Sequence, residues 1–465
     1  MDNLYSTLIN QTFNFPQEGF EVKDDELYFN DIPLMDIIKQ YGTPLRISYL
    51  PKIGSQIQKA KRLFNVAMAK VDYKGKYVYC YCTKSSHFKH IVEEALKNEI
   101  HLETSSAFDM PMIDALEKKG VLTKDMTVIC NGFKTFQYKQ YIIDMLHDGF
   151  KNIIPVLDNK EEFNLYDDEI EMSTPCNLGI RIAAEEQPDS QFYTSRLGIR
   201  MEDIIDFYYN KIENNPNFQV KLLHFFINSG ISDTPYYWNE LEKYVTLYCK
   251  FKKINPHLDT LDIGGGMPFK DSLVFDFDYE YMINEIVKRI KEICAEHDTM
   301  EPDIITEFGK YTCAEASGIL YKVLGRKQQN DRERWLMLDG SFITNLPDVW
   351  ALNQKYILLP INNWDSEYER VNLGGITCDG QDYYNQEAHM NSVFMPKTRK
   401  VQYLGFFNTG AYQEVLSGYG GIHHCLLPSP KHVIIRRNRD ETFNFEVFGE
   451  EQNSKQVLKI LGYTT

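Results

Sequence analysis

Apolar, β-branched and aromatic runs recur along the first two thirds of the chain, at 78–83, 100–104, 127–130, 153–157, 178–183, 222–227, 259–263 and 303–306. Segments with helical periodicity lie between them, among them 87–98, 109–119, 135–147 and 277–297. The runs are continuously hydrophobic rather than alternating, which is the pattern of parallel strands covered on both faces. Eight such strands alternating with helices predict a closed (β/α)8 TIM barrel over residues 41–318, slightly longer than the ~250 residues usual for that fold.

Beyond residue 318 the strand-like runs follow one another without helices: "ILYKVLGRKQ", "RWLMLDG", "KYILLPINNW", "RVNLGGITCDG", "VQYLGFFNTGAY", "KHVIIRRN" and "FNFEVFG". They predict a C-terminal, mostly antiparallel β domain over 319–465, a barrel or sandwich. Within the N-terminal segment 1–40, "FEVKDDELYFNDI" reads as a hairpin that joins this β domain. No internal repeat or long Pro/Gly/Ser linker separates the parts.

Active sites of (β/α)8 barrels form at the C-terminal ends of the strands. In chain order those ends carry Lys84; Glu103 with Ser105 and Ser106; Asn131; Asp158; an Ala-Ala-Glu run after Arg181; Asn228-Ser229-Gly230; Gly264-Gly265-Gly266; and Glu307 followed by Gly309-Lys310. A strand-terminal lysine alone would signify only the surface. Here one amine, several hydroxyls, a triple glycine and a carboxylate meet at one rim. Consecutive glycines let backbone N–H groups approach an anion closely, and a triplet directly behind "LDI" is placed to seat a phosphate. Amine, phosphate seat and carboxylate together suit pyridoxal phosphate, with Lys84 as the Schiff-base lysine and Glu307 as the partner of the pyridinium nitrogen.

Charge and cysteine usage narrow the class further. The 465 residues carry a net charge of −16, which argues against nucleic acid or an anionic membrane as partner and agrees with a small cationic substrate. The N-terminus lacks a basic region followed by an apolar core, and no run approaches a membrane span, so a cytoplasmic location is expected. Nine cysteines, an odd number without a CxxC pair, fit a reducing compartment. No Cys/His cluster has zinc spacing, and the adjacent His423 and His424 cannot share a helix face, so no metal site is expected; Mg2+ is compatible with the sequence but not indicated by it.

The motifs "YGTPLRISY", "YCTKSS", "LDIGGGMP", "TEFGKY", "TCDGQD" and "NTGAY" occur in the order found in fold-type III pyridoxal-phosphate decarboxylases, the alanine-racemase-like group. The chain resembles that family from about residue 41 to 425, and "FITNLPDVWALNQKYILLPI" with "LGFFNTGAYQEVLSG" is similar to its arginine branch rather than its ornithine branch. The resemblance implies Lys84 as Schiff-base lysine, Glu307 as pyridinium partner, and Gly264, Gly265, Gly266, Gly309, Ser229 and Tyr412 as phosphate binders. It implies supporting roles for Glu103 and Arg181 around the lysine and the ring. Cys378 matches the proton donor, and Asp379 and Asp382 match carboxylates for a cationic side chain. In the family the cysteine loop comes from the partner subunit, so a homodimer with shared active sites is implied.

Two positions depart from the family pattern. Where it has a histidine stacked on the ring, within HFHxGS, this chain reads "HFFINS", which puts Phe226 at the stacking position and leaves His224 as either a core residue or a substitute. Lys310 stands where a phosphate-binding arginine is usual, a point charge in place of a fork. Asp339 and Asp348 are further acidic candidates. The resemblance implies decarboxylation of L-arginine to agmatine on a polyamine route, with ornithine, lysine, diaminopimelate and carboxynorspermidine as the competing substrates.

Overall fold

The computed structural model describes residues 15–167, 175–184, 195–331, 333–384 and 393–463. Residues 1–14 of the N-terminal segment, and Glu185 of the Ala-Ala-Glu run, lie outside the described residues. The chain divides into two compact units.

One unit, residues 53–268 and 277–312, is a closed barrel of eight parallel strands in sequential order. The strands are Tyr77–Cys82, His101–Thr104, Thr127–Cys130, Asn152–Leu157, Cys176–Arg181, Phe218–His224, Thr260–Asp262 and Asp303–Glu307. The last pairs with the first, Glu307 opposite Cys80, and closes the ring. All eight expected strands are present. The barrel interior is filled by Cys80, Ile129, Ile154, Val156, Leu222 and Ile305, so it is a packed core with its chemistry confined to one end. Some of the barrel helices begin at polar caps that satisfy a free first-turn N–H: Thr135 accepts from Tyr138 N ahead of Phe136–His147. Thr234 accepts from Tyr237 N ahead of Pro235–Lys252, where Pro235 occupies the first turn at no hydrogen-bond cost.

The other unit takes in the residues up to Lys52, 269–276 and those from Cys313 on. Its ten-stranded sheet runs Tyr383–Tyr384, Tyr368–Gly374, Arg334–Leu338, Ser317–Gln328, Leu45–Tyr49, Lys431–Arg437, Phe443–Gly449, with three further strands off this path. Pairing is mostly antiparallel. Leu45–Tyr49 lies antiparallel to Ser317–Gln328 and parallel to Lys431–Arg437; the β unit therefore claims residues past the expected boundary at 40/41. The N-terminal hairpin of Phe20–Lys23 and Glu26–Phe29 forms as expected. It docks through Leu27 N to Ile361 O (2.8 Å) and an aromatic contact of Phe20 with Phe407, ring centroids 5.1 Å apart.

Candidate active site

Strand register builds the barrel end. Cys82 lies opposite Glu103, Arg181 opposite His224, and His224 opposite Asp262. Lys84 follows two residues behind the first strand, in the single turn Thr83–Ser85, with its side chain half-exposed and Nζ 4.0 Å from Glu103 Oε2. Glu103 is fully buried; its Oε2 accepts from Cys82 Sγ at 2.6 Å and its Oε1 from Asn131 Nδ2 at 3.0 Å. The same Asn131 amide donates to Glu307 Oε1 at 2.6 Å. On its other oxygen Glu307 meets His224 Nε2 at 3.4 Å, and His224, Asp262 and Glu307 bring their ligating atoms within 4.8 Å of one another. That grouping spans three strands, and no local spacing announces it.

Burial and charge split these acids. Burial raises the Glu103 carboxyl to about 7; Lys84 lowers it and the Glu307 charge adds to the rise. Burial, then Glu307, pushes Asp262 well above the carboxylate range. For Glu307 burial also acts upward, but His224, Lys84 and Asp262 outweigh it and hold the group at about 2. Glu307 is thus the fixed anion, and Asp262 the neutral acid beside it.

The glycine run occupies a tight loop. Gly264 and Gly266 have φ of +70° and +95°, and a Cβ on Gly265 would stand 2.6 Å from Glu307 O. Phe226, half-buried, lies against this loop: its ring is 3.4 Å from where a Gly264 Cβ would be. His224, by contrast, is buried beneath the rim beside Glu307. Ser229 is exposed and Arg181 half-buried at the end of its strand. A Cβ on Gly309 would strike Ser85 Oγ at 1.9 Å, and Lys310 opens the four-residue helix that follows.

These residues fit pyridoxal phosphate. Ser85 Oγ, Asn131 Oδ1, His224 Nδ1 and Asp262 Oδ2 are buried without a hydrogen-bond partner, and native interiors leave few such atoms. An amine, a fixed buried anion and a glycine loop on the same barrel end complete the donor set the cofactor requires.

The remaining candidates belong to the β unit. Tyr412 sits at φ +67°, ahead of the turn Gln413–Leu416. Cys378 is exposed in the loop after Tyr368–Gly374, its Sγ 3.6 Å from Cys425 Sγ. Asp379 Oδ2 lies 3.3 Å from His424 Nε2.

Asp382 corrects the expectation of a paired substrate carboxylate. It is buried, and its oxygens accept from Phe342 N (2.7 Å), Ser341 Oγ (3.1 Å) and Thr377 Oγ1 (2.7 Å). This acid pins the Cys378 loop to the start of Phe342–Asn345, and its accepting capacity is spent. Asp348 is buried too, taken by Gln413 Nε2, and Asp339 is half-buried, taken by Thr43 Oγ1 with Lys322 N. Asp379 and Asp339 remain partly open to solvent, and of these two only Asp379 lies beside Cys378. Asn131 was placed at the rim by its strand end but given no role, and Asp262 was missed; its signal was an acid closing an apolar strand just before the glycines.

Residues 53–314 match the family described as pyridoxal-dependent decarboxylase, pyridoxal binding domain. The chain belongs to that family: it is a pyridoxal-phosphate-dependent decarboxylase of fold type III. It is 24% identical to a biosynthetic arginine decarboxylase of Citrifermentans bemidjiense, across 92% of this chain and 85% of that one, and 20% identical to one of Prochlorococcus marinus, across 92% and 84%. Among solved structures, the biosynthetic arginine decarboxylase of Campylobacter jejuni shares the fold at a TM-score of 0.82 and 20% identity, covering 100% of this chain and 91% of that one. A diaminopimelate decarboxylase from M. jannaschi shares it at a TM-score of 0.80 and 15% identity, covering 95% of this chain and 97% of that one. Among the described residues no helix is long and apolar enough to cross a membrane.

Proposed function

We propose that this protein decarboxylates L-arginine to agmatine, in the cytoplasm and on a route to polyamines, as a homodimer with shared active sites. The observation that carries the reading is the wiring of Lys84, Glu103, Asn131 and Glu307 at one barrel end. When bound, pyridoxal phosphate supplies the ring that takes up the electron pair left by departing CO2.

The chain's own residues do the rest. Lys84 anchors the cofactor and, with the substrate amine bound in its place, is free to move a proton. Glu103, whose pKa near 7 suits exchange at neutral pH, takes that proton from Lys84 Nζ and returns it. Glu307 holds the ring nitrogen's proton, and it stays anionic because Asn131 and His224 face its two oxygens. Gly264, Gly265, Gly266, Gly309, Ser229, Lys310 and Tyr412 hold the phosphate, and Phe226 packs on the ring where the family has histidine. Arg181 supports the ring from the fifth strand.

Cys378 gives a proton to the substrate Cα, and Asp379 binds the guanidinium. The arginine preference is supported by the relatives' names and by the motifs shared with that branch. Incubating the loaded protein with arginine, ornithine, lysine and diaminopimelate, with identification of the amine products, tests it. Agmatine from arginine as the fastest reaction is expected; turnover of another substrate with arginine untouched overturns it.

A further inference from the structure

Two pairs of cysteine thiols approach each other in this protein, and their surroundings differ. Cys249 and Cys294, with Sγ atoms 3.8 Å apart, are buried between the barrel helices Pro235–Lys252 and Tyr279–Glu296. Cys378 and Cys425, 3.6 Å apart, are both exposed in the β unit. The separation is similar, so access to solvent decides which pair can react.

The second pair is also held in place from both sides. Asp382 fixes the Cys378 loop through Thr377 and Ser341. Opposite, Cys425 and Leu426 both have φ of +56°, a region that costs side-chain-bearing residues energy. His424 Nε2, next in the chain, meets Asp379 Oδ2 at 3.3 Å and ties the two loops together. A strained turn kept in register by that contact presents Cys425 directly to Cys378, the proton donor of the proposed function.

We propose that Cys378 and Cys425 form a dithiol modification site for hydroperoxides, and that its oxidation to a disulfide switches the decarboxylase off. With Cys425 as the sulfur that meets the oxidant first, Cys378 stands 3.6 Å away to resolve it. Cys425, as thiolate, attacks the peroxide O–O bond. It becomes the sulfenic acid and releases an alkoxide, which takes up a proton to leave as an alcohol, or water from hydrogen peroxide. Cys378 then attacks that sulfur, the S–O bond breaks, and the oxygen leaves as water. In total two thiols and one hydroperoxide give one disulfide, one alcohol and one water. The disulfide has no proton to give, so turnover stops until a dithiol reductant restores both thiols. The site itself rests on geometry alone; the loss of activity rests on the donor role of Cys378.

The test uses the full chain loaded with cofactor. After brief hydrogen peroxide treatment, alkylation and peptide mass spectrometry should find Cys378 joined to Cys425, with Cys249 and Cys294 still free. Formation of the amine product should fall by about a hundredfold, the scale of losing a general acid, and return on adding dithiothreitol. Cys425→Ser should keep the basal activity, form no linkage, and lose the dithiothreitol-reversible inhibition. Free Cys378 and Cys425 thiols after peroxide, or a Cys249–Cys294 linkage in their place, overturn the site and leave the donor role untouched. Linked thiols with undiminished turnover overturn the switch and, separately, the donor role of Cys378.

Discussion

Asn131 Nδ2 lies 2.6 Å from Glu307 Oε1, and the same nitrogen reaches Glu103 Oε1 at 3.0 Å. One neutral amide therefore stands between two buried carboxyls whose pKa values are driven apart, to about 2 and about 7. Separating an acid that stays charged from one that exchanges protons near neutrality assigns their roles. Asn131→Ala removes the shared donor. A hydrogen bond to a charged group is worth ~1.5–3 kcal/mol, so cofactor affinity and turnover should each fall about 10- to 100-fold. Unchanged cofactor binding and turnover would show that the two carboxyls do not need it.

Lys84 is tested by covalent capture. The loaded protein should absorb visible light, and borohydride reduction should leave the cofactor on the peptide containing Lys84. Label on another lysine would sink the assignment of the barrel rim.

The glycine loop gives a separate prediction. Since a Cβ on Gly265 would stand 2.6 Å from Glu307 O, Gly265→Val must move the loop off the phosphate seat. Cofactor affinity should drop by an order of magnitude or more, while the circular dichroism spectrum stays that of the folded chain. Affinity equal to the parent's would reduce the glycines to a turn.

How much of this was legible in the sequence depends on whether the signal is local. The eight barrel strands stood out because burial on both faces makes a run continuously apolar. Their ends were blurred where burial and pairing part company: Ala183 and Ala184, and Phe225 and Ile227, are buried beyond the last paired residue of their strands. Leu45–Tyr49 is buried at every position because it is central in the β sheet, and an apolar pattern cannot say which sheet a strand joins. Asp382 looked like a substrate carboxylate for a related reason. An acid in a polar loop reads the same whether it faces solvent or accepts from a neighbouring turn 40 residues earlier in the chain, as it does from Phe342 N.

Glu103 gives the site a pH signature. Its folded value of about 7 lies above the ordinary carboxyl value of 4.5. Below 4.5 both folded and unfolded chains are protonated. Between about 4.5 and 7 the unfolded chain ionises first, so folding loses stability as pH rises through that window and levels off above it. Glu307 runs the other way: held at about 2, it contributes stability above the ordinary value that disappears as pH falls through 2. In cofactor-free protein, Glu103→Gln removes only the first slope, so its Tm relative to the parent should rise from about pH 5 to about pH 7.5. A flat Tm difference across that range would put Glu103 back at an ordinary carboxylate value.

The Cys378 loop joins substrate choice to assembly. Asp379→Ala should raise KM for arginine by more than about tenfold with little change in Tm, as a desolvated charge partner is worth ~2–5 kcal/mol. Asp382→Ala should instead lower stability by about 2–4 kcal/mol, the scale of leaving several donors to a buried charge unmet, because its oxygens hold the loop rather than the substrate. Cys378→Ala should still release CO2 but slow or misdirect protonation at Cα, since the proton donor is lost and the electron sink is kept. If the site is shared across a two-fold dimer, co-expressing Lys84→Ala with Cys378→Ala, each impaired in agmatine formation on its own, restores one intact site per mixed dimer. Random pairing makes half of all dimers mixed, so activity should recover to about a quarter of the parent's. Isolated mixed dimers without any activity would place Lys84 and Cys378 of each working site in one subunit, and the shared-site assembly would fall.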